Sequence, residues 1–421
     1  MEMPSKHALY LSKRIGSRGA GSDGEAAAAS YVMRTFRDWD LEVEMENFST
    51  WKSDTPALIV LFLLAIASYL VFELSEPASL AISLFVFFVF QMETYTWATI
   101  SRLMPHSGAS NVVGRVRSAG PTRERVVLVA NYDSAKSSPT GRRHISRAYR
   151  LLYVLSFVCI IAIVLLGFFG VGADLTKISE DTVQLVWFFT SPFALYLLFF
   201  AALLMFGETR GRYTAGANDN ASGLAAMMSA MEHVAGNVPE HTEVWGVATG
   251  RSSAGARGMV AFLRRHRHQL HSAYYINIDH CGVGQTKVIT REGPMFGFHS
   301  SRKLKRMASA AAAGSSRIDL GKGKCRVKKS DGMAAMVRGY RAITIGGVDG
   351  GTYPGWRNKE DTLDTIERAS LERAAKLICS LVDEIDRASA KKLRGRRPHR
   401  EEREKPREAD APRQEDVLTP P

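Results

Sequence analysis

The sequence predicts an α/β protein: a mostly parallel sheet sandwiched by helices, plus four transmembrane helices in two hairpins. Three observations predict it. Four apolar runs come as two close pairs. Short β-branched runs alternate with helix-like segments through the remaining residues. Basic residues gather on one side of the hairpins.

The composition sets the bounds. Of 421 residues, 46% are hydrophobic and 23% charged, close to an ordinary globular chain, which excludes fibrous and wholly disordered classes. Four cysteines cannot staple a disulfide scaffold of this length. The net charge of +13 predicts attraction to something anionic.

The runs are Pro56–Phe72, Ala78 to about Ile100, Leu151–Ala173 and Val183–Phe206. A spanning helix needs about 20 apolar residues. The last two meet that, the first is at the lower limit, and the second carries Glu93 near its end. The turns Glu73–Pro77 and Asp174–Thr182 hold five acids and one lysine, whereas residues 1–56 hold seven Lys/Arg and residues 101–150 hold ten. Positive segments stay in the cytoplasm, so both termini and the soluble part are expected there, in a multi-pass membrane protein. Residues 1–50 show no apolar run of a cleaved signal. Cys281, Cys325 and Cys379 are expected as free thiols, with Cys159 inside the third run.

Outside the hairpins, strand candidates are Val126–Asn131, Glu243–Ala248, Tyr275–Asp279 and Ala342–Gly346, each short and apolar enough to be buried on both faces. Helix candidates are Gly24–Phe36, Asn220–His233, Gly255–His266 and Leu371–Asp386. Residues 1–55, 101–150 and 207–386 thus form one domain, interrupted by hairpins at 56–100 and 151–206. Ligands of such sheets bind at the carboxyl ends of strands, here near Asn131, Arg251–Ser253 and Asp279. Residues 387–421 lack large apolar side chains and read as a disordered charged tail. The stretch Arg302–Lys329 holds ten basic residues and one acid. It reads either as a solvated face or as a contact for anionic lipid headgroups. No nucleic-acid module accompanies the charge.

Several segments resemble, in order, the motifs of the two-zinc aminopeptidases, metallopeptidase family twenty-eight, which also includes glutaminyl cyclase and the glutamate carboxypeptidase/transferrin receptor group. GANDNASG (Gly216–Gly223) resembles the bridging-aspartate motif. Residues 9–37 resemble the N-terminal helix with its GS-x-GE signature, and Asn111–Gly114 followed by VVLVANYDS resembles the strand ending in HxDS. SSAGARGMVAF, INIDHCGVG, Ser330–Asp331 with Gly339–Thr344, and WRNKEDTLDTI resemble four later motifs. The resemblance implies a zinc-aminopeptidase-like fold.

It also implies a site, position by position. Asn131 stands at the first histidine ligand and Asp133 at the aspartate that orients it. Asp219 is the bridging aspartate. Ser252 takes the place of the general-base glutamate and Ser253 that of the neighbouring glutamate ligand. Asp279 is retained, and Arg357 replaces the last histidine. A serine is no base at neutral pH, and a guanidinium has no lone pair for a metal. Buried together, Asp219 and Asp279 need a counter-charge, and Arg357, with Arg251, is the expected one. Two readings of the aspartates stay open: a polar pocket, or a structural role such as Asp219 capping the helix after it. His280, next to Asp279 on a strand, is expected to point to the opposite face. A serine nucleophile would need a base that the sequence does not identify.

Three functions follow. The first is a pseudopeptidase that binds a peptide or membrane-protein partner in the bilayer, with no cofactor. The second is a metallopeptidase with a reduced site holding zinc or another divalent cation on oxygen ligands. The third is a helix-bundle scaffold or transporter with a regulatory soluble domain, for which Glu93 is the one ionisable group inside a span.

Overall fold

The computed structural model describes residues 3–314 and 318–394. Among them are nine strands: β1 (Glu42–Thr50), β2 (Ser107–Val116), β3 (Glu124–Asn131), β4 (Thr242–Thr249), β5 (Tyr274–Ile278), β6 (Lys287–Glu292), β7 (Phe298–His299), β8 (Gly321–Cys325) and β9 (Arg341–Gly346). The α-helices are α1 (Pro4–Leu9), α2 (Asp23–Asp38), α3 (Thr55–Val71), α4 (Glu76–Thr94), α5 (Arg143–Thr176), α6 (Glu180–Arg210), α7 (Ser222–Gly236), α8 (Arg257–Arg265), α9 (Arg302–Gly314), α10 (Asp331–Val337) and α11 (Arg368–Arg394).

All strands join one sheet in the order β1-β2-β4-β3-β5-β9-β6-β7, with β8 paired to β6. The centre, β4-β3-β5-β9, is parallel. Its strands are the four read from the sequence, and β4 is buried at every residue, as a strand covered on both faces must be. The expected mostly parallel sheet is nonetheless a mixed one. β1–β2, β2–β4, β6–β7 and β6–β9 pair antiparallel.

One face of the sheet is covered by α1, α2, α7, α9 and α11, whose small and aliphatic side chains form the largest core. The other is covered by α8 and α10, around Trp245, Phe262 and Tyr275. α11 runs on to Arg394, eight residues into the segment assigned to a tail. Residues 395–421 lie outside the described residues.

The helices α3 to α6 pack side by side as a bundle with its own core of Phe62, Phe90, Tyr153, Ile163 and Phe200. Three of them, α4, α5 and α6, are long and apolar enough to cross a membrane. The fourth, α3, is equally apolar but has 17 residues. The lower ends of α5 and α6 extend beyond the apolar runs to Arg143 and Arg210. Glu93, the ionisable group read inside the second run, lies in the last turn of α4. It is buried, and its carboxylate accepts hydrogen bonds from Thr99 N, Ser101 N and Ser101 Oγ at 2.6–2.9 Å. It shapes the chain leaving α4.

Candidate functional site

The carboxyl ends of β3, β4, β5 and β9 converge where the topology predicts a site. Asn131 ends β3, Ser252 and Ser253 follow β4, and Asp279 follows β5. Asp219 sits on the bend before α7, introduced by Gly216 at φ 57°, where a Cβ would come within 2.6 Å of Asp219 O. Only glycine adopts that conformation without cost and leaves the space.

Asp219 and Asp279 face each other, and the cation between them is Lys328. Its Nζ lies 3.0 Å from Asp219 Oδ1 and 3.0 Å from Asp279 Oδ1. Burial opposes charge on the ammonium, but the two aspartates outweigh it, and its pKa rises above the ordinary lysine value. Burial likewise opposes the charge on Asp279, yet Lys328 and His280 hold its pKa well below the usual carboxylate range. This corrects the expected counter-ion. Arg357 lies instead against Asp54, at 3.9 Å, with its guanidinium over Trp356. Arg251 is fully buried, pairs with Glu25 at 3.0 Å and donates to Gly108 O.

His280 is a second correction. β5 ends at Ile278, and His280 takes a left-handed φ of 55°, so strand alternation no longer applies to it. The ring turns back: Nδ1 lies 2.7 Å from Asp279 Oδ1 and Nε2 3.3 Å from Asp219 Oδ1. Tyr353 stacks on its other side at 4.2 Å. Asp219, Asp279 and His280 thus bring three ligand-type atoms within 4.8 Å of one another.

The opposite wall is neutralised by hydrogen bonds. Asp133 accepts from Ser252 N at 3.0 Å, Ser253 N at 2.9 Å and Ser253 Oγ at 2.6 Å. The Asn131 amide donates to Asp133 O and Oδ1 and accepts from Asn220 Nδ2 at 3.0 Å. Ser252 Oγ donates to Asp331 Oδ1 at 3.0 Å, and Thr249 Oγ1 to Asp331 Oδ2 at 2.5 Å. Burial raises Asp331 to about 6 in spite of these donors. Both serines are therefore spoken for. Capping of α7 falls to Asn220, whose Oδ1 accepts from Gly223 N and His280 N, so Asp219 is not the cap.

Three residues were missed by sequence reasoning. Lys328 was one of ten cations in a stretch read as surface. Asp361 accepts from Asn218 N at 2.7 Å and Asp219 N at 2.9 Å, and burial raises it to about 6. It lies inside the WRNKEDTLDTI motif, which was the available signal. Arg18, fully buried, donates to the carbonyls of Tyr132, Ala215 and Gly216 and ties the N-terminal segment to the site loops.

The space left is small. A cavity of about 50 Å³ is bounded by the site and by Leu58 of α3, Tyr149 and Tyr153 of α5, and Leu204 of α6. The bundle roofs the site directly, and Trp356 packs edge-on against Tyr149 at 5.1 Å.

This geometry belongs to an α/β fold of the zinc-aminopeptidase type. Residues 202–382 match the family model for peptidase family M28, and the resemblance read from the sequence stands. Among solved structures, the chain is similar to BSAP, a zinc aminopeptidase from Bacillus subtilis, with a TM-score of 0.54 and 12% identity over 91% of this chain and 94% of that one. Glutaminyl cyclase of Bacteroides thetaiotaomicron, bound to N-acetylhistamine, aligns at 0.53 and 12%, covering 90% and 96%. LapB of Legionella pneumophila aligns at 0.52 and 11%, covering 91% and 71%. At such identities the likeness is one of fold. A comparison with curated protein sequences finds no match.

Proposed function

We propose that this chain is a multi-pass membrane protein whose peptidase-like domain is catalytically silent and acts by binding a membrane-protein partner. The observation that carries the reading is Lys328, whose ammonium sits 3.0 Å from both retained aspartates. A fixed internal cation fills the position where the family would hold metal. The residues do not fit a zinc pair. Asp219, Asp279 and His280 supply donors on one side, but Asn131 and Ser253 are hydrogen-bonded elsewhere and Arg357 has no lone pair to give. No carboxylate stands at Ser252 to activate water.

A cavity of about 50 Å³, far below the roughly 300–1,000 Å³ of a ligand pocket, supports a partner met outside the site over a peptide held within it. In this reading the site is a joint between the sheet and the bundle, and partners meet the bundle or the membrane-proximal surface. Four spans, with both termini and the soluble domain cytoplasmic, complete the topology. The basic stretch Arg302–Lys329 remains a candidate for headgroup contact, less Lys328 and Lys329, which are engaged with Asp219, Asp279 and Asp54.

A second reading has one observation in its favour. Asp219, Asp279 and His280 form a compact donor set, which would take a single divalent cation if Lys328 swung away. Elemental analysis of the detergent-purified protein after incubation with zinc separates the two. The proposal expects no stoichiometric metal in the native chain and uptake of one ion by Lys328→Ala. Metal in the native chain that is lost in Asp219→Ala/Asp279→Ala would establish the second reading instead.

A further inference from the structure

A second concavity, far larger than the site, lies on the side of the domain where α4 returns to the sheet. Its volume is about 1120 Å³, and it is lined by Arg102, Arg257, Arg264, Arg265, Arg267 and Arg338. The acid in its lining is Glu46, and that carboxylate is engaged by His266 at 2.5 Å. Arg102 and Arg264 are exposed and form no ion pair among the described residues. The surface is therefore strongly cationic and under-compensated.

The groove is built rather than incidental. Thr96, a β-branched residue, adopts a left-handed φ of 63°, which is costly for its type. Two arginines hold it there. Arg257 Nη2 donates to Thr96 O at 2.8 Å, and Arg338 Nη1 to Thr96 Oγ1 at 2.8 Å. Their guanidinium groups lie over Trp51 at 5.0 Å and Trp97 at 4.7 Å. Arg257 is deeply buried. Its pKa falls to about 10, first through burial and then through Arg338, against a smaller opposing pull from Asp54.

Position supplies the ligand class. Trp97 follows α4, one of the three helices able to cross a membrane, and is 47% exposed. Leu103, six residues further along the same connecting segment, is 82% exposed. An exposed tryptophan and leucine in the segment that leaves such a helix, together with arginines, is the composition of a membrane interface. We propose that this groove binds the phosphate headgroup of an anionic phospholipid drawn from the adjoining leaflet. Arg102, Arg264 and Arg267 take the phosphate while Trp97 and Leu103 rest among the acyl chains. The site is distinct from the Arg302–Lys329 stretch and independent of whether the peptidase centre is silent.

The test uses the full chain in neutral detergent, titrated calorimetrically with dioctanoyl phosphatidylglycerol. Dioctanoyl phosphatidylcholine, inorganic phosphate and a glutamate-rich peptide are the other arms. Phosphatidylglycerol is expected to bind and the other three to bind at least tenfold more weakly. Each arginine at a charged lipid surface contributes about fivefold, so Arg102→Gln/Arg264→Gln/Arg267→Gln weakens binding about a hundredfold. Arg102→Gln alone, in an exposed turn, weakens it about fivefold. Arg34→Gln/Arg37→Gln, on the exposed face of α2, leaves it unchanged. Equal binding of phosphatidylcholine, phosphate or peptide would overturn the proposal. So would native affinity in both arginine variants, or an equal loss in the α2 variant.

Discussion

The two walls of the site are balanced in opposite ways. The wall of Asp219, Asp279 and His280 is charged and pairs with a cation from the chain itself, Lys328. The wall of Asn131, Ser252 and Ser253 carries no charge of its own and is knitted to Asp133 by hydrogen bonds. The difference shows what each kind of wall requires. Buried carboxylates need a cation beside them. Neutral positions need only partners for their donors and acceptors.

Breaking the first wall should have the largest effect. Lys328→Met leaves two buried carboxylates without their ammonium, His280 being the side chain still beside both, and should cost about 3–5 kcal/mol of unfolding free energy, measured by denaturant unfolding in micelles. Adding Asp219→Asn and Asp279→Asn should recover most of it. A loss below about 1 kcal/mol would remove Lys328 as the counter-ion and dissolve the contrast. The second wall should be softer. Asp133→Ala strands two amides and a hydroxyl, at a cost of about 2–3 kcal/mol. It should also loosen the Ser252–Ser253 loop, seen as faster hydrogen exchange there.

The pH dependence sharpens the comparison further. Burial raises Asp331 and Asp361 from 3.8 to about 6, and Glu25 and Glu292 from 4.5 to about 7. Between about pH 4 and 7 the native state then holds protons that the unfolded chain has released, so stability falls as pH rises. The Lys328–Asp279 pair adds no slope in that window. The lowered Asp279 matters only below its ordinary 3.8 and the raised Lys328 only above 10.5. Melting temperature in detergent should be higher at pH 5 than at pH 7.5, and Asp331→Asn should flatten the trend. The smallest effect belongs to Arg357→Ala, under about 1 kcal/mol, since its ion pair with Asp54 is long, at 3.9 Å. A cost matching that of Lys328→Met would return Arg357 to the role first expected of it.

The central strands were legible because burial on both faces writes them as apolar runs. The outer ones were not. β1 reads EVEMENFST, alternating acids with apolar residues, and β8 reads GKGKC, with no β-forming character of its own. These pair because a neighbour offers an open edge. In the site, Asp133, Asp219 and Asp279 were legible from their motifs. Lys328 was not, since periodicity carries no record of where a long side chain reaches. His280 was misplaced because its strand stops one residue earlier than its composition suggests, and a left-handed turn reverses the ring.

The register of β1 against β2 runs from Glu42 with Arg115 to Thr50 with Ser107, and α3 and α4 lie wholly between these partners. β3 likewise meets β4 only after α5, α6 and α7 have been made. Bringing such distant segments together is entropically slow, and each helical hairpin does it in advance by returning the chain to its starting point. Closure of each helical hairpin therefore comes before closure of the sheet. A chain whose hairpin fails to close would leave β1 and β3 without their neighbours, their unpaired edges open to aggregation. Assembly of the sheet is thus tied to assembly of the helical bundle.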